Sequence, residues 1–159
     1  MPLILCVVMD SDGKLRVAGA ALVSSEDNAS FHWFCTFLFR LGRTPKVVFS
    51  DGDLAISSTL AIIKGCVHYL CIWHIIKNLR KNCLNALGDQ KNEFIGDFRV
   101  LPNIQSKLKF VEEWNAFLKK YSVKEQYLVE VLGGGNLQKW PRYFLNDHFT
   151  INITASSCV

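Results

Sequence analysis

The chain opens on an unbroken apolar run, Leu3 to Met9, which stops at Asp10-Ser11-Asp12-Gly13. A short apolar run closed by turn-forming residues predicts a strand entering a hairpin. Lys14 to Val23 reads as the returning strand, with small residues at Ala18 to Ala21 that permit close packing. Ser24 to Asn28 is a polar loop, and Ser30 is placed as the N-cap of a helix that runs to Leu41. On that helix Phe31, Phe34, Leu38 and Leu41 recur at helical spacing, while Trp33 and Phe37 broaden the apolar face. The aromatic set Phe31, Trp33, Phe34 and Phe37 is therefore expected in the core and not as a base-stacking platform. Gly42 ends the helix and Pro45 precedes a strand over Lys46 to Phe49. Leu54 to Ile63 reads as helix, Val67 to Cys71 as strand, and Ile75 to Leu87 as a helix stopped by Gly88.

Up to Gly88 the order is β-β-α-β-α-β-α, an antiparallel hairpin followed by crossover units. Beyond it the period becomes helical throughout: Asn92 to Phe98, Ile104 to Tyr121 and Lys124 to Leu132, with Gly133-Gly134-Gly135 as a break. Trp140 to Asn146 reads as one more short helix, and the tail from Phe149 to Val159 is polar and β-branched. This pattern gives an α/β chain in three parts. Residues 1–88 form a mixed-sheet core, 89–146 a helical insertion, and 147–159 the start of a return to the core.

Composition changes this picture little. With 159 residues, half of them apolar and a fifth charged, the chain is long enough for a domain with a real core. No run approaches the ~20 apolar residues of a membrane helix. The opening run lacks the basic flank and cleavage site of a signal peptide, so a buried strand inside the cell is expected. Cys6, Cys35, Cys66, Cys71, Cys83 and Cys158 fall mostly within strand or helix patterns and are expected as thiols. A net charge of +4 permits an anionic partner without requiring one.

Three groups of residues carry candidate chemistry. Asp51 stands at a strand end beside Gly52, where a carboxylate projects into the open and can ligate Mg²⁺ through oxygen. Two-metal phosphoryl transfer needs several such carboxylates on ions ~4 Å apart, and the plainer reading is that Asp51 or Asp53 caps the following helix, a role suited to Asp53. Cys71 and His74 have metal-ligand spacing, but no second pair completes the four ligands of a structural zinc site, so packing and hydrogen bonding are the stronger reading. Lys77, Arg80 and Lys81, with Asn78 and Asn82, give one helix a basic face that suits either phosphate contact or simple solvation near a helix C-terminus.

Together these residues resemble the transposase domain of Mutator-like elements, the group that includes plant far-red-impaired-response regulators. Ala20-Ala21-Leu22 with Glu26 and Ser30-Phe31-x-Trp33 resembles that family's strand, loop and first helix. Ser50-Asp51-Gly52-Asp53-x-Ala55 resembles the segment carrying its second catalytic Asp, and Cys71-x-Trp73-His74 with Lys77-Asn78 resembles its Cys-x-x-His signature. Trp140 and the tail from Phe149 resemble the approach to its catalytic Glu. The resemblance implies an RNase H-like fold and Mg²⁺- or Mn²⁺-dependent DNA cleavage and joining by an Asp-Asp-Glu triad. Asp51 takes the second carboxylate position. The first Asp is expected on a strand upstream of Pro2 and the Glu just beyond Val159, because Glu125 and Glu130 lie in the insertion and Asp10 and Asp12 in the hairpin turn.

The expectation is thus a transposase-domain fragment, inactive alone, with its first sheet strand missing. It would be nuclear, would have DNA as partner, and could form a homo-oligomer. The alternative is a domesticated regulator that uses the same fold for DNA or protein contact. A zinc-dependent binding module built on Cys71 and His74 is a third reading, removed by a zinc stoichiometry near zero.

Overall fold

The computed structural model describes residues 1–40 and 44–145. Its elements follow the expected order: β1 (Leu3–Met9), β2 (Leu15–Leu22), α1 (Asn28–Arg40), β3 (Val47–Ser50), α2 (Leu54–Ala61), β4 (Val67–Leu70) and α3 (Ile72–Cys83). The helices α4 (Lys91–Val100), α5 (Lys107–Lys120), α6 (Glu125–Leu132) and α7 (Arg142–Leu145) complete it, linked by short 3₁₀ turns. The tail from Phe149 to Val159, and with it the expected return to the core, lies outside the described residues.

The protein is mixed α/β, but the strands do not join into one sheet among the described residues. β1 pairs only with β2, antiparallel, and β3 with β4. The mixed α/β class expected from the sequence is present, with two small sheets among the described residues. The chain divides into two compact units, Met1–His68 and Tyr69–Val159. This division differs from the expected core through residue 88, since α3 shares its core with the helices that follow it.

In the first unit the hairpin turn is organised by Asp10. Its Oδ1 accepts the amides of Asp12 (3.0 Å) and Lys14 (2.8 Å), while Oδ2 takes the Arg16 Nε at 2.9 Å. Gly13 supplies the positive φ of 76° that this turn requires. The register slips between Cys6 and Val7, leaving Ala18 as an extra residue on β2. One face of the hairpin carries Ile4, Cys6 and Ala21 onto Phe31, Phe34 and Leu38 of α1. Contact is close at Gly19, where a Cβ would lie 2.9 Å from Leu38 Cδ1. The opposite face presents Leu3, Leu5, Val7, Val17 and Leu22 to solvent.

Two expectations for α1 change. The helix starts at Asn28, because the Asp27 carboxylate, not Ser30, accepts the first free amide: Ser30 N donates to Asp27 Oδ1 at 2.8 Å. Of the aromatic set, only Phe31 and Phe34 are buried. Trp33 and Phe37 are more than half exposed and stack on each other, with ring centroids 6.2 Å apart. Four aromatic residues within seven positions span more of the helix circumference than one core face can cover.

The second unit is built around aromatic rings. Trp140, fully buried, meets Phe98, Phe110 and Trp114 at 5.3–5.6 Å between centroids, and its Nε1 donates to the Leu132 carbonyl at 3.0 Å. Phe94, Phe117 and Tyr121 extend the cluster. The Tyr121 hydroxyl donates to Asp97 Oδ2 at 2.7 Å, and Lys120 Nζ bridges that same oxygen and Glu93 Oε2. From β4, Tyr69 donates to the Phe144 carbonyl and the Leu70 amide to that of Lys139. No helix among the described residues is long and apolar enough to cross a membrane.

Candidate strand-end carboxylate and nucleic-acid interface

β3 ends at Ser50, and the next three residues form a tight polar turn into α2. Gly52 adopts φ 84°, a left-handed conformation that a side chain would strain. Asp53 is the cap: its Oδ1 accepts Ala55 N at 2.7 Å and Ile56 N at 3.4 Å. Asp51 is exposed, and among the described residues its Oδ1 accepts only the longer bond from Asp53 N, 3.2 Å. The two carboxylates therefore separate cleanly, one committed to the helix and one presented at the strand end. Sequence reasoning passed over their neighbour. Ser50 Oγ lies 2.8 Å from His68 Nε2 on β4 and also accepts the Gly52 amide at 3.3 Å, so a hydroxyl–imidazole pair holds the base of the turn.

Metal holding by Asp51 is limited by its surroundings. Among the described residues no three His, Cys, Asp or Glu side chains gather closely enough to hold an ion. With Asp53 turned to the backbone, the turn offers one free-standing carboxylate, fewer oxygen ligands than a two-ion site needs. These residues do not by themselves fit the Mg²⁺ or Mn²⁺ pair that the resemblance implies.

Cys71 and His74 lie in the second unit. The expected gap between strand and helix is corrected: β4 stops at Leu70, Cys71 is the N-cap of α3, and His74 sits in the first helical turn. Cys71 is fully buried. His74 Nδ1 is buried without a hydrogen-bond partner among the described residues, and its ring meets Trp73 edge-on at 4.7 Å between centroids.

α3 is strongly two-faced. Ile75, Leu79 and Cys83, four residues apart, face the core, whereas Lys77, Arg80 and Lys81 are exposed. Trp73 belongs to the outer side. It remains 46% exposed, and Lys77 Nζ sits 5.2 Å from its ring centroid. Sequence reading gave Trp73 only as part of the Cys-x-x-His signature and not as part of this outer face, although a Trp four residues before a Lys was there to signal it.

Thiols are the other reactive groups. Cys6, Cys35, Cys66, Cys71 and Cys83 form no disulfide. Burial raises the pKa of Cys6, Cys66 and Cys83, and that of Cys35 is pushed up to about 11 by burial and by the neighbouring Cys6 and Cys66.

A strand-end Asp held in a Gly turn is followed here by a Cys-x-x-His segment opening a basic helix. Residues 1–78 match the family model described as the MULE transposase domain. Over 98% of its length the chain is 22% identical to FAR1-RELATED SEQUENCE 11 of Arabidopsis thaliana, and over 72% it is 25% identical to FAR1-RELATED SEQUENCE 10 of the same plant. It spans 23% and 17% of those two proteins. No solved structure matches it.

Proposed function

We propose that this chain is part of a MULE transposase domain that contacts DNA through α3 and does not cut it as it stands. The observation that carries this reading is the division of labour at the β3–α2 turn, where Asp51 alone is left for a ligand. The parent fold in this reading is RNase H-like, and the parent chemistry is carboxylate-held Mg²⁺ or Mn²⁺ activating an attacking oxygen on a phosphodiester. One carboxylate cannot supply that, so binding is what remains. A nuclear location follows from a DNA partner.

Lys77, Arg80 and Lys81 form the contact surface, through charge-assisted bonds to phosphate oxygens. Replacing all three by Ala is expected to weaken binding of duplex DNA and to reduce its dependence on log salt by roughly 2 to 3 units of slope, close to one per phosphate contact. Unchanged affinity would assign the cations to solvent. In the companion assay, supercoiled plasmid with Mg²⁺ or Mn²⁺ should stay intact. Nicking that disappears in Asp51→Asn would overturn the non-cutting half of the proposal. The alternative, a domesticated regulator, is favoured by the likeness to two FAR1-related proteins; it predicts that the longer protein tolerates Asp51→Asn without loss of function.

A further inference from the structure

The outer side of α3 carries one feature that phosphate contact does not use. Trp73, Lys77, Arg80 and Lys81 occupy positions i, i+4, i+7 and i+8, so they form one stripe along the helix. The other tryptophans of the second unit, Trp114 and Trp140, are buried at 5% and 1% exposure, while Trp73 keeps 46%. Burial of its own surface therefore does not explain this indole.

We propose that Trp73 is a stacking platform for an unpaired DNA base whose flanking phosphates lie on Lys77, Arg80 and Lys81. A large aromatic face followed along the same track by cations is the arrangement that single-stranded nucleic acid requires, since its bases offer π-faces at the spacing of its charges. Duplex DNA hides those faces within its stack and can use only the cations. Lys77 now rests over the indole at 5.2 Å. An exposed cation–π contact is weak, so an arriving base can displace the ammonium, which then pairs with the adjacent phosphate. The His74 ring, edge-on to Trp73, restrains the indole from the side. The other exposed aromatic pair, Trp33 with Phe37, shares its helix with a single Lys or Arg, Arg40, and lacks this track.

This inference rests on the DNA-contact reading above, and the experiment separates their failures. Short oligothymidine single strands and a duplex of the same length are titrated against the full chain, the K77A/R80A/K81A variant, Trp73→Ala, Trp73→Phe and Trp33→Ala. Trp73→Ala should weaken single-strand binding about tenfold, the scale of one stacked base. It should leave duplex binding and the salt slope unchanged. Trp73→Phe should retain most of the affinity, and Trp33→Ala all of it. In a Trp33→Phe background, added single strand should quench tryptophan emission, and that quenching should vanish with Trp73→Phe. Equal binding of single strands by Trp73→Ala and the parent, with the triple variant weakened, would overturn stacking and leave phosphate contact standing. No binding of either DNA by the parent chain would overturn both.

Discussion

Two aspartates two positions apart in one turn have different work, and stability should tell them apart. Asp53→Ala removes the side-chain acceptor for two amides of α2 and is expected to cost about 0.5–2 kcal/mol in chemical denaturation. Asp51→Ala loses one long bond at an exposed position and should cost well under that. Similar losses at both sites would mean that Asp51 is a second cap and not a presented ligand. Asp97 offers a pH test. Hydrogen bonding to Lys120, reinforced by the Tyr121 hydroxyl, holds its carboxyl below the usual range, so its stabilising effect is present above the ordinary carboxylate pKa and fades as pH falls through the lowered one. Tyr121 is pushed up to about 12, by burial first and Asp97 second, so its contribution holds at neutral pH and fades only as pH rises through that value. Asp97→Ala should cost about 1–3 kcal/mol at neutral pH by leaving the Tyr121 hydroxyl without its acceptor, and should flatten the acid limb of the stability profile below about pH 4. An unchanged acid limb would place the pH dependence elsewhere.

Elements were legible in the sequence where one periodicity ruled, and their ends were not. The Leu3 to Met9 run coincides with β1, and the helical stretch read over Ile104 to Tyr121 contains α5. α3 began three residues before its expected start because Cys71 caps with its backbone alone, its carbonyl accepting Ile75 N, and that leaves no Ser, Thr, Asn or Asp to read. The start of α1 was missed for the opposite reason. Ser30 reads as a cap by residue type, and nothing in the sequence says that the Asp27 carboxylate faces the open amides instead. Asp51 and the cations were legible as residue types, but the Ser50–His68 bond joins positions 18 apart and depends on the pairing of β3 with β4. Trp73 needed knowledge of which side of α3 is buried. At this scale the aromatic cluster supplies the sharpest test: Phe98→Ala, at a fully buried ring against Trp140 and Phe117, should cost about 3–5 kcal/mol. A loss below about 1 kcal/mol would mean the α4 contact is not part of the folded core.

For the whole molecule, the sequence led to the α/β class and the element order but not to how the strands group. β3 and β4 have four residues each, and strand pairing of that length is set by tertiary surroundings more than by propensity. The first unit depends on a small cluster centred on Ile4, Val23, Phe31 and Phe34, whereas the second buries eighteen of its described residues in one continuous core. Hydrophobic burial scales with the area removed from water, so the first unit should open more readily. The thiols make that difference measurable. Only thiolate attacks an alkylating reagent, and a thiol whose pKa stands near 11 is almost wholly protonated at neutral pH. Cys35 on α1, held as the thiol, and Cys83 on α3, fully buried, are slow while folded and react at ordinary rates once exposed, each on its own peptide. Timed alkylation read by mass spectrometry turns them into two independent clocks, one for each unit, and Cys35 should run faster.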